Sequence, residues 1–240
     1  MAPILNFTAP MGADPGGLFV YMMVAGGLDV FAVDQQTGAL QRIPDSPFPG
    51  PTSGGPLVNN EGSELFTQSN NAIGAWRLNP QTGVPSVVRG SPFSVGESNF
   101  SLSAITPDDR MLLISASQKI ITMHINDDGS LTRLASTPLT LAEAGSFAID
   151  PTQRYVYFCA QSAGPGYLEG YKLENSGQLT PLPGTPFDTG SCWALNANPS
   201  GKYLYAIGGA ITYRIDQSTG ALTKISQSRA ASGFEAVLTP

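Results

Sequence analysis

The sequence predicts an all-β fold, a β-propeller built from four-stranded antiparallel blades, and three observations lead to this prediction. A turn that contains glycine recurs five times along the 240 residues. A strand of alternating apolar and polar residues precedes each turn, and helical periodicity is absent. A proline-containing segment, first seen as DSPFPG at 45–50, recurs after the turns. Repeats of about 45 residues that hold four short strands are typical of propeller blades.

The turn glycines are almost equally spaced. They lie in QQTGAL, PQTGVP, NDDGSL, ENSGQL and QSTGAL, and they are Gly38, Gly83, Gly129, Gly177 and Gly220. The intervals between them are 45, 46, 48 and 43 residues. We therefore expect one propeller domain over 1–240 with five blades, whose repeats span 18–55, 56–100, 101–145, 146–191 and 192–232.

The strand before each glycine sets the register of its blade. These strands are VFAVD, AWRLN, TMHIN, GYKLE and TYRID. Their apolar positions, such as Trp76 and Leu78, are predicted to face the core, because side chains alternate along a strand. The polar residues between them are predicted to point the other way, namely Arg77, His124, Lys172 and Arg214.

The proline segments recur as GSPFSVG at 90–96 and GTPFDTG at 184–190, with a weaker copy, STPLTLAEAG, at 136–145. Proline has no backbone donor for a sheet ladder and is tolerated at an edge. The segment is therefore predicted to end the outermost strand, and its apolar residue to pack between neighbouring blades. We assign it no chemistry.

The two ends of the chain leave two ways to complete the first blade. GFEAVLTP at 233–240 matches an innermost strand, and we expect it to pair with LFVYMMV at 18–24 and close a five-bladed ring. Alternatively, APMGADPGG at 9–17 supplies that strand itself. The chain would then be an open form or a fragment of a seven-bladed propeller.

Composition excludes several classes of partner. The net charge of −6 argues against nucleic acid, which needs clustered cations, and no apolar run approaches the roughly 18 residues that cross a bilayer. The N-terminus lacks the pattern of a secretory signal, so we expect a cytoplasmic protein, or a secreted one whose signal has been removed. Cys159 and Cys192 are interpreted as buried reduced thiols, with a disulfide as the alternative.

Several segments together resemble the lactonase-like propellers, which include YVTN-repeat proteins and the 6-phosphogluconolactonase and carboxymuconate-cyclase group. The segments are LFVYMMV, YVYFCAQ, YLYAIGG, STGALT, TPFDTG and IDPTQRYVY, and the resemblance runs from about residue 9 to 240. It implies catalytic His, Arg and Glu residues at a central channel, with a His five residues before the turn proline of an inner strand. The equivalent positions here hold Leu102, Ser146, Ala194 and Glu235, and none of them is His.

Metal and acid–base motifs are weak. His124, the single histidine, is in register with Arg77 and Lys172 and is predicted to point away from the channel. One histidine and two distant cysteines do not make a zinc site. The acidic run at 126–129 resembles a calcium loop but coincides with the repeated turn, so turn chemistry explains it. We expect no cofactor; calcium is the one ion that we consider.

Propeller topology gathers one set of loops around the channel mouth. Three carboxylates there are weak catalytic candidates, as general base or metal ligand: Glu97, Glu143 and Glu235. Four residues on or near the inner strands are candidate ligand-binding residues: Ser146, Trp193, Asn196 and Phe234. Loops between the second and third strands add further polar groups, among them Asp29, Gln118, Lys119 and Tyr167. The other interpretation is that these are solvated loop residues.

Three functions follow as hypotheses. The first is a binding module without the catalytic histidine, which takes a small polar ligand or a protein at the channel mouth. The second is a lactonase-type hydrolase or isomerase that acts on a sugar lactone or cyclic acid. The third is an engineered or truncated repeat protein whose property of interest is assembly. We expect no nucleic-acid or membrane partner, and a monomer unless the ring is not closed within the chain, in which case we expect self-association.

Overall fold

The computed structural model describes residues 11–51, 53–69, 71–139, 144–160, 166–190 and 192–227. Within these residues the chain is all-β and forms five antiparallel sheets. They contain no helix that is long and apolar enough to cross a membrane. The predicted all-β fold is confirmed.

The strands follow one another in five groups. The first sheet consists of β1 (Met11–Ala13), β2 (Phe19–Val24), β3 (Gly27–Val33) and β4 (Leu40–Arg42). The second consists of β5 (Ser53–Val58), β6 (Glu64–Ser69), β7 (Ala72–Leu78), β8 (Pro85–Val87) and β9 (Phe93–Ser94). The third consists of β10 (Ser101–Ile105), β11 (Met111–Ala116), β12 (Lys119–Ile125) and β13 (Leu131–Pro138). The fourth consists of β14 (Ala144–Ile149), β15 (Tyr155–Ala160), β16 (Gly166–Leu173), β17 (Leu179–Pro181) and β18 (Phe187–Gly190). The fifth consists of β19 (Cys192–Ala197), β20 (Tyr203–Gly208), β21 (Ile211–Ile215) and β22 (Leu222–Gln227).

Every sheet is a four-stranded meander, because its first four strands pair in chain order. Two short strands extend this pattern: β9 returns to pair with β7, and β18 returns to pair with β16. The four-stranded antiparallel blade predicted from the repeat is therefore confirmed.

The chain groups into two compact units. One contains residues up to Ile105 together with Ile125–Thr132, and the other contains Thr106–His124 together with the residues from Arg133 on. In the first unit, the first two sheets bury a cluster that includes Tyr21, Leu28 and Trp76. In the second unit, the fourth and fifth sheets bury a cluster that includes Tyr157, Leu168 and Leu204.

The five turn glycines occupy equivalent turns. All five have a positive φ, between 70° and 81°, a conformation that glycine adopts without steric cost. The N–H of Gly38, Gly83 and Gly220 donates to the carbonyl four residues earlier, and that of Gly129 and Gly177 to the carbonyl three residues earlier. The five glycines therefore share the left-handed conformation, in turns of two lengths.

In the SPF-type segments, a side-chain hydroxyl accepts a backbone N–H of the third strand. Each full copy contains a cis peptide bond before its proline, at Ser46–Pro47, Ser91–Pro92 and Thr185–Pro186. The residue before the proline accepts a backbone N–H from the third strand. The pairs are Val30 N to Ser46 Oγ (3.0 Å), Ala75 N to Ser91 Oγ (2.9 Å) and Gly170 N to Thr185 Oγ1 (3.0 Å).

The apolar residue of these segments then rejoins the third strand. Phe93 pairs with Ile73, Phe187 pairs with Leu168, and Phe48 forms a bridge with Leu28. Phe48 and Phe187 also pack against the buried clusters of their units, as predicted. The segment follows the fourth strand, and the chain then returns to the same sheet, which the sequence did not indicate. The weaker copy differs, since residues 136–138 lie within the continuous strand β13.

The innermost position of the first sheet is taken by β1. Met11 pairs with Met22 and Ala13 with Val20. Because β2 has β3 along its other edge, no further strand can pair with it there. This corrects the expectation that 233–240 would pair directly with that strand, and it agrees with the alternative strand from 9–17. Residues 233–240 lie outside the described residues.

Cys159 and Cys192 form a disulfide, which corrects the interpretation of reduced thiols. Cys159 lies on β15 and Cys192 on β19, so the bond joins the fourth and fifth sheets. Their Cα atoms are 5.6 Å apart, within the range that a disulfide requires. The packing of two sheets brings the sulfurs together, and a separation of 33 residues in sequence gives no sign of it.

Candidate functional site

The inner strands β14 and β19 of the second unit lie beside each other and bring Ser146 to Leu195. The backbone N–H of Leu195 donates to Ser146 Oγ at 3.0 Å. Ser146 is half-buried. The position that the resemblance implies for a catalytic histidine therefore holds a hydroxyl that binds the backbone of the neighbouring sheet.

The residue after Ser146 belongs to an aromatic stack. The ring of Phe147 packs on Phe158 with centroids 5.3 Å apart, and Phe158 stacks on Tyr171 with centroids 5.4 Å apart. The register of β14 with β15 shifts between Ala144 and Phe147, so Ser146 lies at an irregularity of the strand. Ala148 lies in the buried cluster of the fourth and fifth sheets.

A buried carboxylate lies beside this aromatic stack. Glu169 on β16 is 0 % exposed, and it pairs in register with Phe158. The phenol of Tyr171 donates to Glu169 Oε2 at 2.5 Å. A buried carboxylate needs such a donor, because burying an unsatisfied charged group is costly.

In the second sheet, the aromatic residue at the equivalent position donates its hydrogen bond to a residue on another strand. Trp76 takes the place of Tyr171, and its Nε1 donates to Thr67 Oγ1 on β6 at 3.3 Å. Gly74 stands where the fourth sheet has Glu169, since each lies two residues before the aromatic. Sequence reasoning missed Glu169, although the aligned third strands contain this signal.

Of the predicted ligand-binding residues, the structure brings Ser146 next to the strand that carries Trp193 and Asn196. Asn196 is half-buried on β19 and pairs in register with Tyr205. Trp193 lies on the same strand, and its side chain is outside the described residues. Phe234 also lies outside them.

Of the three candidate catalytic carboxylates, one lies within the described residues. Glu97 is half-buried in the loop after β9. Glu143 and Glu235 lie outside the described residues, so the grouping of the three carboxylates stays a prediction.

Asp29, expected among the polar groups of the mouth, forms an ion pair within the first sheet. Its Oδ1 lies 2.6 Å from Arg42 Nη2. The Asp29 side chain is 13 % exposed and that of Arg42 is 47 % exposed. This carboxylate therefore stabilises the pairing of β3 and β4, across which the two side chains lie.

His124 lies on the polar side of β12, as its register predicts. It is half-buried, and its Nδ1 is 3.1 Å from the carbonyl oxygen of Arg110. A ring nitrogen at this distance from a carbonyl carries the proton, so Nδ1 donates.

The acidic run at 126–129 forms an ordinary turn. Asn126 Nδ2 donates to the carbonyl of Ser130 at 3.0 Å, and Ser130 N donates to Asp128 Oδ1 at 3.0 Å. Hydrogen bonds from Ser130 hold the pKa of Asp128 below its usual value. Across the described ranges, no three His, Cys, Asp or Glu residues lie close enough to hold a metal ion.

Comparison with solved structures identifies the fold. A presumptive 6-phosphogluconolactonase from Bacteroides fragilis matches 92 % of this chain over 69 % of its own, with a TM-score of 0.65 and 17 % identity. A periplasmic gluconolactonase from Pseudomonas aeruginosa matches 92 % of this chain over 70 % of its own, with a TM-score of 0.66 and 16 % identity. A protein from Lactobacillus plantarum matches 90 % of this chain over 70 % of its own length, with a TM-score of 0.70 and 14 % identity.

The chain therefore has the β-propeller fold that lactonase-like proteins share, as the sequence motifs indicated. At these identities the likeness extends to the fold alone. No protein-family model matches the chain, and no curated protein does.

Proposed function

We propose that the protein is a lactonase-like propeller that acts as a binding module, without the histidine-based chemistry that the resemblance implies. The observation that carries the proposal is the bond between Ser146 Oγ and the backbone N–H of Leu195. The inner-strand position available to a catalytic group is used to join two sheets. The single histidine, His124, lies on a third strand instead, with Nδ1 at a backbone carbonyl.

Two carboxylates that are largely shielded from solvent support the same proposal, because each has a partner in its own sheet. Asp29 is paired with Arg42, and Glu169 accepts from Tyr171. Both carboxylates hold neighbouring side chains of their own sheet in place. The expected ligand is a small polar molecule or a protein, bound at the channel-mouth face, with Ser146, Trp193, Asn196 and Phe234 as candidate ligand-binding residues.

Turnover of lactones tests this proposal directly. We expect a panel of sugar lactones and aliphatic lactones to be hydrolysed at the spontaneous rate, with or without added calcium. Saturable turnover that disappears in Ser146→Ala but persists in Ser94→Ala would contradict a purely binding role. Ser94 is a suitable control because, among the described residues, its exposed hydroxyl accepts a single local N–H, that of Gly96 at 3.2 Å.

A second candidate, a lactonase-type hydrolase or isomerase, is favoured by the solved gluconolactonase whose fold matches 92 % of this chain. In that case Glu97, Glu143 or Glu235 would act as the general base, since burial can raise the pKa of a carboxyl toward neutral pH. Three single Glu→Gln variants test it. If one of them loses at least a hundredfold in kcat at unchanged melting temperature, the hydrolase replaces the binding module as the conclusion.

A further inference from the structure

Four of the five turn glycines do more than close their turns, because each of these four contacts the sheet that precedes it. A Cβ added at Gly83 would lie 2.4 Å from Phe19, one at Gly129 would lie 3.1 Å from Glu64, and one at Gly220 would lie 2.5 Å from Tyr155. Phe19, Glu64 and Tyr155 are all the first residue of the second strand of their sheet. The contact is thus a repeated junction between consecutive sheets.

The junction between the third and fourth sheets departs from this rule. The equivalent first residue is Met111 on β11. A Cβ added at Gly177 would instead meet Leu134 at 2.8 Å and Thr122 at 3.1 Å. The turn of the fourth sheet is therefore displaced from Met111 toward β13.

A cation bridges two of the other junctions. Arg77 donates to the carbonyl of Asp127, and Arg154 Nη2 donates to the carbonyl of Gln217 at 2.7 Å. Each carbonyl belongs to the second residue of the following turn. At the displaced junction, that turn position is Asn175.

The side chains equivalent to these arginines at the displaced junction are Arg110 and His124, and within the described residues neither forms a bridge to Asn175. Arg110 precedes Met111 as Arg154 precedes Tyr155, and His124 is in register with Arg77. Instead of a bridge to Asn175 there is a cavity of about 500 Å³. Its lining residues are Asp108, Arg110, Met111, His124, Leu134 and Asn175.

Some polar groups that line this cavity already have hydrogen-bond partners, and others have none among the described residues. Asp108 is satisfied, because Thr106 Oγ1 donates to it at 2.7 Å and Arg110 N at 3.2 Å. The amide of Gln153, with its nitrogen turned to the carboxylate, donates to Asp108 at 2.8 Å. Within the described part of the chain, the Arg110 guanidinium, His124 Nε2 and the Asn175 amide have no hydrogen-bond partner.

We propose that this cavity binds a small organic anion that carries a carboxylate or phosphate group. The guanidinium of Arg110 has the fork geometry that pairs with such a group, and the N–H groups of the Asn175 amide can donate to it as well. Because Nδ1 of His124 carries the proton, its Nε2 is an acceptor and can accept from a hydroxyl group of the ligand. Met111 and Leu134 supply apolar contact for the body of the ligand. The volume is within the usual range of roughly 300–1,000 Å³ for small-molecule sites. This site is separate from the face proposed above and does not depend on it.

The chain carries its own reporter for this site, because His124 is its only histidine. Proton–carbon NMR of the imidazole, with tartrate and with glycerol 3-phosphate as separate probes, measures occupancy. Sodium chloride at matched ionic strength is the blank. We expect a saturable shift of the His124 resonance at millimolar concentrations of one or both probes, and no saturation with chloride.

Two variants that each lose one positive charge distinguish binding at this site from a general effect of ionic strength on the resonance. Arg110→Gln should weaken probe binding at least tenfold. Arg214→Gln, at the strand position equivalent to His124 in the fifth sheet, should leave it unchanged. The proposal is overturned if the resonance does not saturate with either probe up to about 50 mM, well beyond the millimolar range of weak specific binding. It is also overturned if both variants change the shift equally. Melting curves establish that each variant is folded.

Discussion

The phenol of Tyr171 donates to the carboxylate of Glu169 within β16, two residues apart on one face of the strand and fully buried. The bond joins the aromatic stack of the fourth sheet to the only buried glutamate on that strand. Phe147 packs on this stack, and the residue before it, Ser146, accepts the backbone N–H of Leu195.

Removing the phenol hydroxyl should destabilise the protein. We expect Tyr171→Phe to lower the free energy of unfolding by about 1–3 kcal/mol, because a buried carboxylate loses a donor. Urea denaturation measures the change. Tyr203→Phe is the matched control, since the Tyr203 hydroxyl has no hydrogen bond within the described residues, and it should cost less than about 0.5 kcal/mol, as most surface substitutions do. Equal losses in both variants would show that the bond adds nothing specific.

The docking of turn glycines predicts a difference between two alanine substitutions. Gly220 and Gly38 share a left-handed backbone, so alanine costs roughly 1–2 kcal/mol of strain at either. A Cβ at Gly220 would also overlap the ring of Tyr155, whereas none of the described atoms lies within 4 Å of a Cβ at Gly38. Gly220→Ala should therefore cost about 1–3 kcal/mol more than Gly38→Ala, because an overpacked site adds its own penalty. Chemical denaturation of both variants tests this, and identical costs would mean that the junction is not tightly packed.

The disulfide should contribute substantially to stability. Closing a loop between residues 33 apart restricts the unfolded chain, which corresponds to about 3–4 kcal/mol. The double variant Cys159→Ala, Cys192→Ala should lose that amount relative to the oxidised protein in denaturant. The reduced wild-type protein should resemble the variant. If reduction leaves the denaturation midpoint unchanged, the bond is not formed in solution.

Acid stability should depend on the turn aspartates. Hydrogen bonds from Ser218, and then from Thr219, lower the pKa of Asp216 to about 2. The folded pKa lies below the unfolded value of about 3.9, so the stabilisation is present above pH 4 and is lost as pH falls toward 2. In Asp216→Asn the melting temperature should fall less steeply over that interval. The fold should be kept at pH 7, since Asn79 already accepts the equivalent N–H groups in the second sheet.

Carboxyl NMR provides the direct check of this prediction. A midpoint near 4 for Asp216 in the folded protein would contradict it. The aspartate at the matching position of the first sheet, Asp34, should titrate in the same direction, because Thr37 and Gln36 donate to it and lower its pKa.

The predictable parts of this fold are those that depend on neighbours in sequence. The turn at Gly220 and the register of Trp76 follow from local patterns, since a left-handed turn requires glycine and a strand alternates. The alignment of Ser146 with Leu102 and Ala194 on the inner strands follows from the same local repeat. The partner of Ser146 does not, because a backbone N–H of another sheet has no sequence signature.

Two of the unpredicted features depend on how consecutive sheets meet, and a third depends on a neighbour within one strand. The pairing of Cys159 with Cys192 requires the packing of β15 against β19. The burial of Glu169 contradicts the usual exposure of a glutamate, and it follows from the phenol provided two residues later. The cavity at Met111 exists because the turn at Gly177 docks elsewhere, a displacement that the nearly regular glycine spacing conceals.

The disulfide also limits the products that can form when the reduced chain refolds and is oxidised. The chain contains two cysteines, and both are in this bond. A chain with two cysteines allows a single intramolecular pairing, so oxidation has no scrambled isomer to correct. The one competing product is a covalent dimer or larger oligomer, whose formation rises with protein concentration. With dissolved oxygen as the oxidant that accepts the two electrons of the thiols, dilution should therefore be enough to direct refolding to the native bond, without a disulfide isomerase or a redox buffer.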